Sequence, residues 1–202
     1  MSRTPPTSPI PAATPDAFLA AAESVRRAVV RDDLAVTEIP APSGLAPRAL
    51  ALAGDVVGAS GRADPELGTG RFVLLHDESE PEAWGGPFRV VCFAQAPLET
   101  DLALDPFVAD VAWSWLVDSL EAGGAAHHSA SGTATKVLST GYGDLADRGE
   151  GAQLELRASW TPTSTDLSPH VDAWSELICT LAGLPPTVEG VTLLASRRVG
   201  RD

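Results

Sequence analysis

The residues able to do chemistry in this chain are few, and each has a plainer reading beside the functional one. His76-Asp77 ends an apolar run beside the acidic stretch Asp77–Glu82, where an imidazole next to carboxylates could serve as general base or metal ligand. The plainer reading is a part-exposed histidine closing a sheet edge. His127 and His128 are neighbours at a strand start, so their side chains take opposite faces and cannot share one metal ion. No cysteine or further histidine at ligand spacing accompanies them. His170 stands in the first turn of a helix, where a positive charge is disfavoured, and reads as solvent-exposed. Ser131-Gly132-Thr133 and Ser139–Gly143 combine hydroxyls with glycine, but they lead into the acidic loop Asp144–Glu150 rather than onto a helix start. They read as turns, not as a phosphate cradle. There is no Gly-x-Ser-x-Gly elbow, and no nucleophile stands in recognisable order with a histidine and an acid. No catalytic residue, metal ligand or cofactor is assigned.

A binding surface is better supported. Gln153–Thr161 alternates cleanly: Leu154, Leu156, Ala158 and Trp160 point inward, while Glu155, Arg157, Ser159 and Thr161 point outward. Beside Ser129, Ser131, Thr133 and Thr135, this outward row makes a polar sheet face with Arg157 at its centre, able to meet a carboxylate or an acidic partner. The plainer reading is a solvated face with an Arg–Glu cross-strand pair. Trp84 follows Glu80-Pro81-Glu82 in an acidic loop and reads as a partner contact, or as a lid folded back on the sheet edge. Trp113 and Trp115 lie about 200° apart on a helix, so they cannot serve one pocket.

The elements that must position these residues follow from periodicity and caps. Thr14-Pro15-Asp16 predicts a helix start, with a hydroxyl at N-cap and proline at N1. A second short helix is expected from about Pro47 to Val57, closed by Gly58. Arg71–His76 and Phe88–Ala94 read as strands that are apolar on both faces, which predicts a sheet segment covered on both sides. The stretch at about residues 103–122 is apolar except for the narrow stripe Asp110, Ser114, Asp118 and Glu121, and predicts a buried central helix. His128–Ser139 and Gln153–Thr161 form a second strand pair, and Ser168-Pro169 opens a last helix. The expected fold is α+β: a single domain whose antiparallel sheet, built from two strand pairs, packs around the buried central helix, with two N-terminal helices and one C-terminal helix. Residues 1–13 read as a disordered Pro/Thr/Ser-rich lead, 14–194 as the domain and 195–202 as a flexible tail.

Composition narrows the function classes. The 202 residues suffice for a self-contained core, and 44% hydrophobic with 20% charged residues is an ordinary globular balance. A net charge of −13 argues against sequence-independent binding to nucleic acid or to anionic membranes. Arg26, Arg27 and Arg31 read as a solvated helix face rather than a nucleic-acid patch. Cys92 and Cys179 sit in apolar segments and do not make a disulfide framework, which fits a reducing cytoplasm. Neither a signal peptide nor a run of roughly 20 apolar residues is present, so a cytoplasmic protein without a membrane span is expected.

Several strings carry a resemblance. Glu38-Ile39-Pro40-Ala41-Pro42, Gly68–Asp77, Trp113-Ser114-Trp115-Leu116, Arg157–Pro162 and Ala182-Gly183-Leu184-Pro185-Pro186 together resemble the actinobacterial family catalogued as domain of unknown function 3000 over roughly residues 15–194. The resemblance supplies no activity, cofactor or catalytic residue. The order of elements is also similar to that of type III secretion chaperones, a likeness of topology that transfers no function. The sequence thus favours a non-catalytic protein that binds a protein partner, or itself, through the polar sheet face and the Trp84 loop. The alternative is a small-molecule-binding protein or enzyme with a pocket between the strand pairs, using His76, Asp77 and Arg157.

Overall fold

In a computed structural model, residues 16–148 and 150–185 are described. The lead 1–13, the tail 195–202 and the expected Thr14-Pro15 cap lie outside them. The elements run α1 (Ala17–Arg27), β1 (Leu34–Ile39), β2 (Arg48–Val56), β3 (Thr69–His76), β4 (Phe88–Leu98), α2 (Thr100–Leu104), α3 (Val108–Ala122), β5 (His127–Thr140), a 3-10 turn (Gly143–Arg148), β6 (Glu150–Pro162) and α4 (Ser168–Leu181). All six strands form one antiparallel sheet in the order β1-β2-β3-β4-β6-β5. The α+β class and the antiparallel sheet follow the sequence, but the sheet has six strands rather than the four of two pairs.

One of the extra strands, β2, replaces the expected second helix. Ala49-Leu50-Ala51-Leu52-Ala53 has strong helical propensity, yet it alternates small and large residues at period two. Pairing with β1 and β3 on both sides decides the matter: Leu50 and Leu52 are buried in the core and the alanines take the opposite face. The start of α1 is also set differently from expectation. Asp16 is the N-cap, its Oδ1 accepting from the backbone N–H groups of Phe18 and Leu19 at 3.0 and 3.2 Å. Arg48 Nη1 donates to the same carboxylate at 2.8 Å and its guanidinium lies over the Phe18 ring, so one residue pins α1 to β2.

The buried central helix is not the one the sequence singled out. α3 buries only Val108, Ala112, Leu116 and Leu120, one residue per turn, and Val111 is exposed. α4 instead buries nine of its fourteen residues, among them Trp174, Leu177 and Ile178. Its seat is made of missing side chains. A Cβ on Gly54 of β2 would stand 2.9 Å from the Trp174 ring, and one on Gly70 of β3 would overlap Ile178 and come within 2.8 Å of the Phe93 carbonyl oxygen. Trp174 Nε1 donates to that same Phe93 carbonyl at 3.3 Å, so the buried indole is satisfied by the sheet itself. Helix and sheet therefore approach more closely than a sheet with ordinary side chains would allow.

Gly70→Ala is expected to destabilise the fold by about 1–3 kcal/mol through overpacking. Ile178→Val, which removes the clashing methyl, should restore part of the loss in the double variant. Denaturant unfolding of the four members of the cycle checks this; strictly additive losses would contradict the close seat.

Candidate functional site

The core face of the sheet carries Leu50, Leu52, Phe72, Leu74, Phe88, Val90, Leu154, Leu156 and Trp160 against the helices. No described helix crosses the opposite face, where Val73, Val91 and Phe93 remain half-buried and Arg71, Arg157 and Thr133 are exposed. The expectation that β3 and β4 are covered on both sides is thus corrected only in part: Val73, Val91 and Phe93 stand half-buried between polar neighbours with no described helix above them, while Leu75 on the same face is buried.

Register lays that uncovered face out in rows. Ala53, Arg71, Phe93, Arg157 and Thr133 lie opposite one another across five strands. The next row is Ala51, Val73, Val91, Ser159 and Ser131, and on the other side stand Asp55, Thr69, Gln95, Glu155 and Thr135. The Arg157 guanidinium lies 5.2 Å above the Phe93 ring, and its Nε donates to Glu155 Oε1 at 2.6 Å. That hydrogen bond and charge raise the Arg157 pKa. The Arg–Glu pair expected across strands is thus made along one strand, between residues two apart. Arg71 donates to the Gly70 carbonyl and to Thr69 Oγ1, and among the described residues no carboxylate pairs with it.

The residue that sequence reasoning missed is Arg89. It lies on the uncovered side of β4 at only 9% exposure. Nη1 donates to the Ser129 carbonyl and to Thr161 Oγ1, both at 3.0 Å; Nη2 donates to Ser159 Oγ at 2.7 Å and to Ser131 Oγ at 3.5 Å. One guanidinium therefore ties β4 to β6 and to β5. It does so where β5 shifts register between His128 and Ser131 and Ser129 takes a positive φ of 53°. Burial pulls the Arg89 pKa down, and among the described residues no carboxylate offsets it. Ser131, Thr133, Arg157, Ser159 and Val91 line a shallow groove of about 400 Å³ on this face.

The structure divides the other sequence candidates. Glu155 and Arg157 stand together on the uncovered face with Ser131, Thr133 and Ser159, as read. Trp84 is half-buried, and its carbonyl accepts from Thr161 Oγ1 at 2.5 Å, so the acidic loop folds back onto the end of β6. His76 is not a part-exposed edge residue. It is buried on the core face, its ring 4.6 Å from Phe88 and 5.7 Å from Phe18, and its Nδ1 has no hydrogen-bond partner. Asp77 accepts from the Ser79 backbone and hydroxyl, and these bonds lower its pKa. His76 and Arg157 thus lie on opposite faces of the sheet, and His76, Asp77 and Arg157 do not converge on a pocket.

His127 and His128 point apart as expected, the first towards Trp160 and the second to Ser129 Oγ. His170 is buried, not exposed: Trp160 Nε1 donates to its Nδ1 at 3.0 Å. Burial lowers its pKa to about 4. Trp113 packs over Gly132, while Trp115 lines a groove of about 520 Å³ between α3 and α4 with Asp118, Asp172 and Glu176. In the adjoining groove, of about 630 Å³, Arg31 is spent on Asp33 and Glu176, and burial raises the Asp172 pKa. Among the described residues, no group of three or more His, Cys, Asp or Glu side chains could hold a metal ion.

These features define a two-layer α+β domain with one arginine-bearing sheet face left uncovered by its described helices. The chain belongs to the family described as Protein of unknown function (DUF3000), whose model matches residues 14–192. No curated protein and no solved structure matches the chain. Among the described residues, no helix is long and apolar enough to cross a membrane.

The buried His170 has a pH signature. It stays neutral in the fold down to about pH 4, whereas the unfolded chain takes up the proton near pH 6.5. The unfolded state therefore binds more protons between these values, and stability falls on acidification across that window by about 3 kcal/mol from this group. His170→Asn keeps an acceptor for Trp160 and cannot titrate, so the difference between wild type and variant should shrink as pH falls from 7 to 4. Urea unfolding at several pH values checks this; a constant difference would contradict it.

Proposed function

We propose that this protein is a non-catalytic binding protein that holds an acidic segment of a protein partner against the uncovered sheet face. The observation that carries the reading is the row Arg71–Phe93–Arg157, with Arg89 buried beside it. In a chain of net charge −13, these three arginines share their face with only Asp55 and Glu155 as opposing charges on the same strand rows. An aromatic ring between two guanidiniums offers apolar contact and bidentate carboxylate recognition in one place. The larger grooves of the helical layer offer less to an acidic partner, because Arg31 there is already matched by Asp33 and Glu176. The folded-back Trp84 loop borders the site and makes its rim.

The reading places the chain in a reducing cytoplasm, which the two free, buried cysteines support. Burial raises the Cys92 thiol to about 12 and the Cys179 thiol to about 11, so both are protonated and inert at neutral pH. Self-association through the same face is the second mode of the same reading, and mass measurement distinguishes it.

The test is charge reversal. Arg71→Glu with Arg157→Glu should weaken capture of native-host partners by about tenfold or more while leaving the circular dichroism spectrum unchanged. Trp84→Ala should weaken it less. If both variants retain every partner and the same native mass as wild type, the sheet-face reading is wrong.

A further inference from the structure

We propose that the shallow groove on the sheet face over β4, β6 and β5 is an oxyanion site, in which the hydroxyls of Ser131 and Ser159 and the guanidinium of Arg157 receive a carboxylate or phosphate group, with buried Arg89 supplying a fixed positive charge beneath. The inference deepens the reading of the face as a binding surface and rests on it. It names the group that the face recognises.

A hydroxyl has one proton to donate and two lone pairs to accept with. Ser159 and Ser131 accept from Arg89 Nη2, and among the described residues neither donates its own proton to an acceptor. Thr161 differs: its hydroxyl accepts from Arg89 and donates to the Trp84 carbonyl, so its one proton is already used. The two serines thus keep free donors, and both line the shallow groove. An O–H whose oxygen already accepts from a cation is polarised into a better donor.

Arg157 completes the set. Its Nε is held by Glu155 and its plane by Phe93, while no described residue accepts from Nη1 or Nη2. The guanidinium is therefore oriented with its terminal edge open to solvent at the same groove. Arg89 cannot move to meet a ligand, because four acceptors on two other strands fix it. Its charge is buried with no described carboxylate partner, an arrangement that an incoming anion stabilises. Donors and charge are in place before the anion arrives, which lowers the cost of binding.

A carboxylate of an acidic protein segment and a free phosphate share this chemistry, and the probes separate them. Backbone and arginine Nε–Hε signals would be followed by NMR on the whole chain during titration with inorganic phosphate, acetate and a hexaglutamate peptide, at constant ionic strength and with chloride as control. Saturable shifts are expected at Ser131, Thr133, Ser159 and Arg157, absent with chloride. Ser131→Ala with Ser159→Ala should weaken binding at least about fivefold, and it retains the Arg89 bonds to Ser129 and Thr161 that hold the strands. Peptide binding tighter than acetate supports a protein source. Phosphate binding without peptide binding leaves the oxyanion site standing and removes the acidic-partner reading. Absence of saturable shifts, or shifts of equal affinity in the serine variant, would overturn the site and leave Arg89 as a strand clamp alone.

Discussion

The close approach of α4 to the middle of the sheet is the constraint on which the other features depend. Two strands give up their side chains at Gly54 and Gly70 so that Trp174 and Ile178 can settle against backbone. That contact fixes which face of every strand is the core face, because side chains alternate strictly along each strand. Once Phe72, Leu74, Val90 and Leu156 face the helices, Arg71, Val73, Val91 and Arg157 must face away. The uncovered face is thus a consequence of how the core is closed.

Buried polar groups are placed by the same logic. On the core side, the His170 and Trp160 rings satisfy each other, and the Ser24 hydroxyl bridges α1 to the start of α4 by accepting from the Leu167 N–H at 2.8 Å and donating to the Ala21 carbonyl. On the far side, Arg89 is buried without a helix above it, covered by its own hydroxyl neighbours and by the irregular start of β5. The first arrangement holds the layers together. The second holds three strands together and leaves a cation beneath an open groove.

Much of this was legible in the sequence, and the failures have physical causes. The strict alternation of Gln153–Thr161 announced both faces of β6 and placed Arg157 correctly. The alanine-rich β2 was hidden because its residues favour a helix in isolation, and only pairing with two neighbouring strands overrides that preference. α3 reads as central because it is apolar outside the narrow stripe Asp110, Ser114, Asp118 and Glu121. Yet Trp113 is long enough to reach the sheet from the helix flank, so hydrophobicity there marks contact at the layer's edge rather than enclosure. Arg89 is concealed inside the apolar run Phe88–Phe93; its signal is an arginine in phase with Val91, Phe93 and Gln95, opposite in parity to Phe88, Val90 and Cys92. His170 reads as exposed from its helix position, which does not reveal that a tryptophan ten residues back in the chain needs an acceptor.

The central claim is that the uncovered sheet face, rather than the helical layer, receives the partner. A photo-crosslinking residue placed at Val91, in the middle of that face, tests it most directly, with Ser119 on α3 as the control in the same cells. The account predicts a covalent adduct to an acidic segment from position 91 and none from position 119. No adduct from position 91, or equal adducts from both, would contradict it.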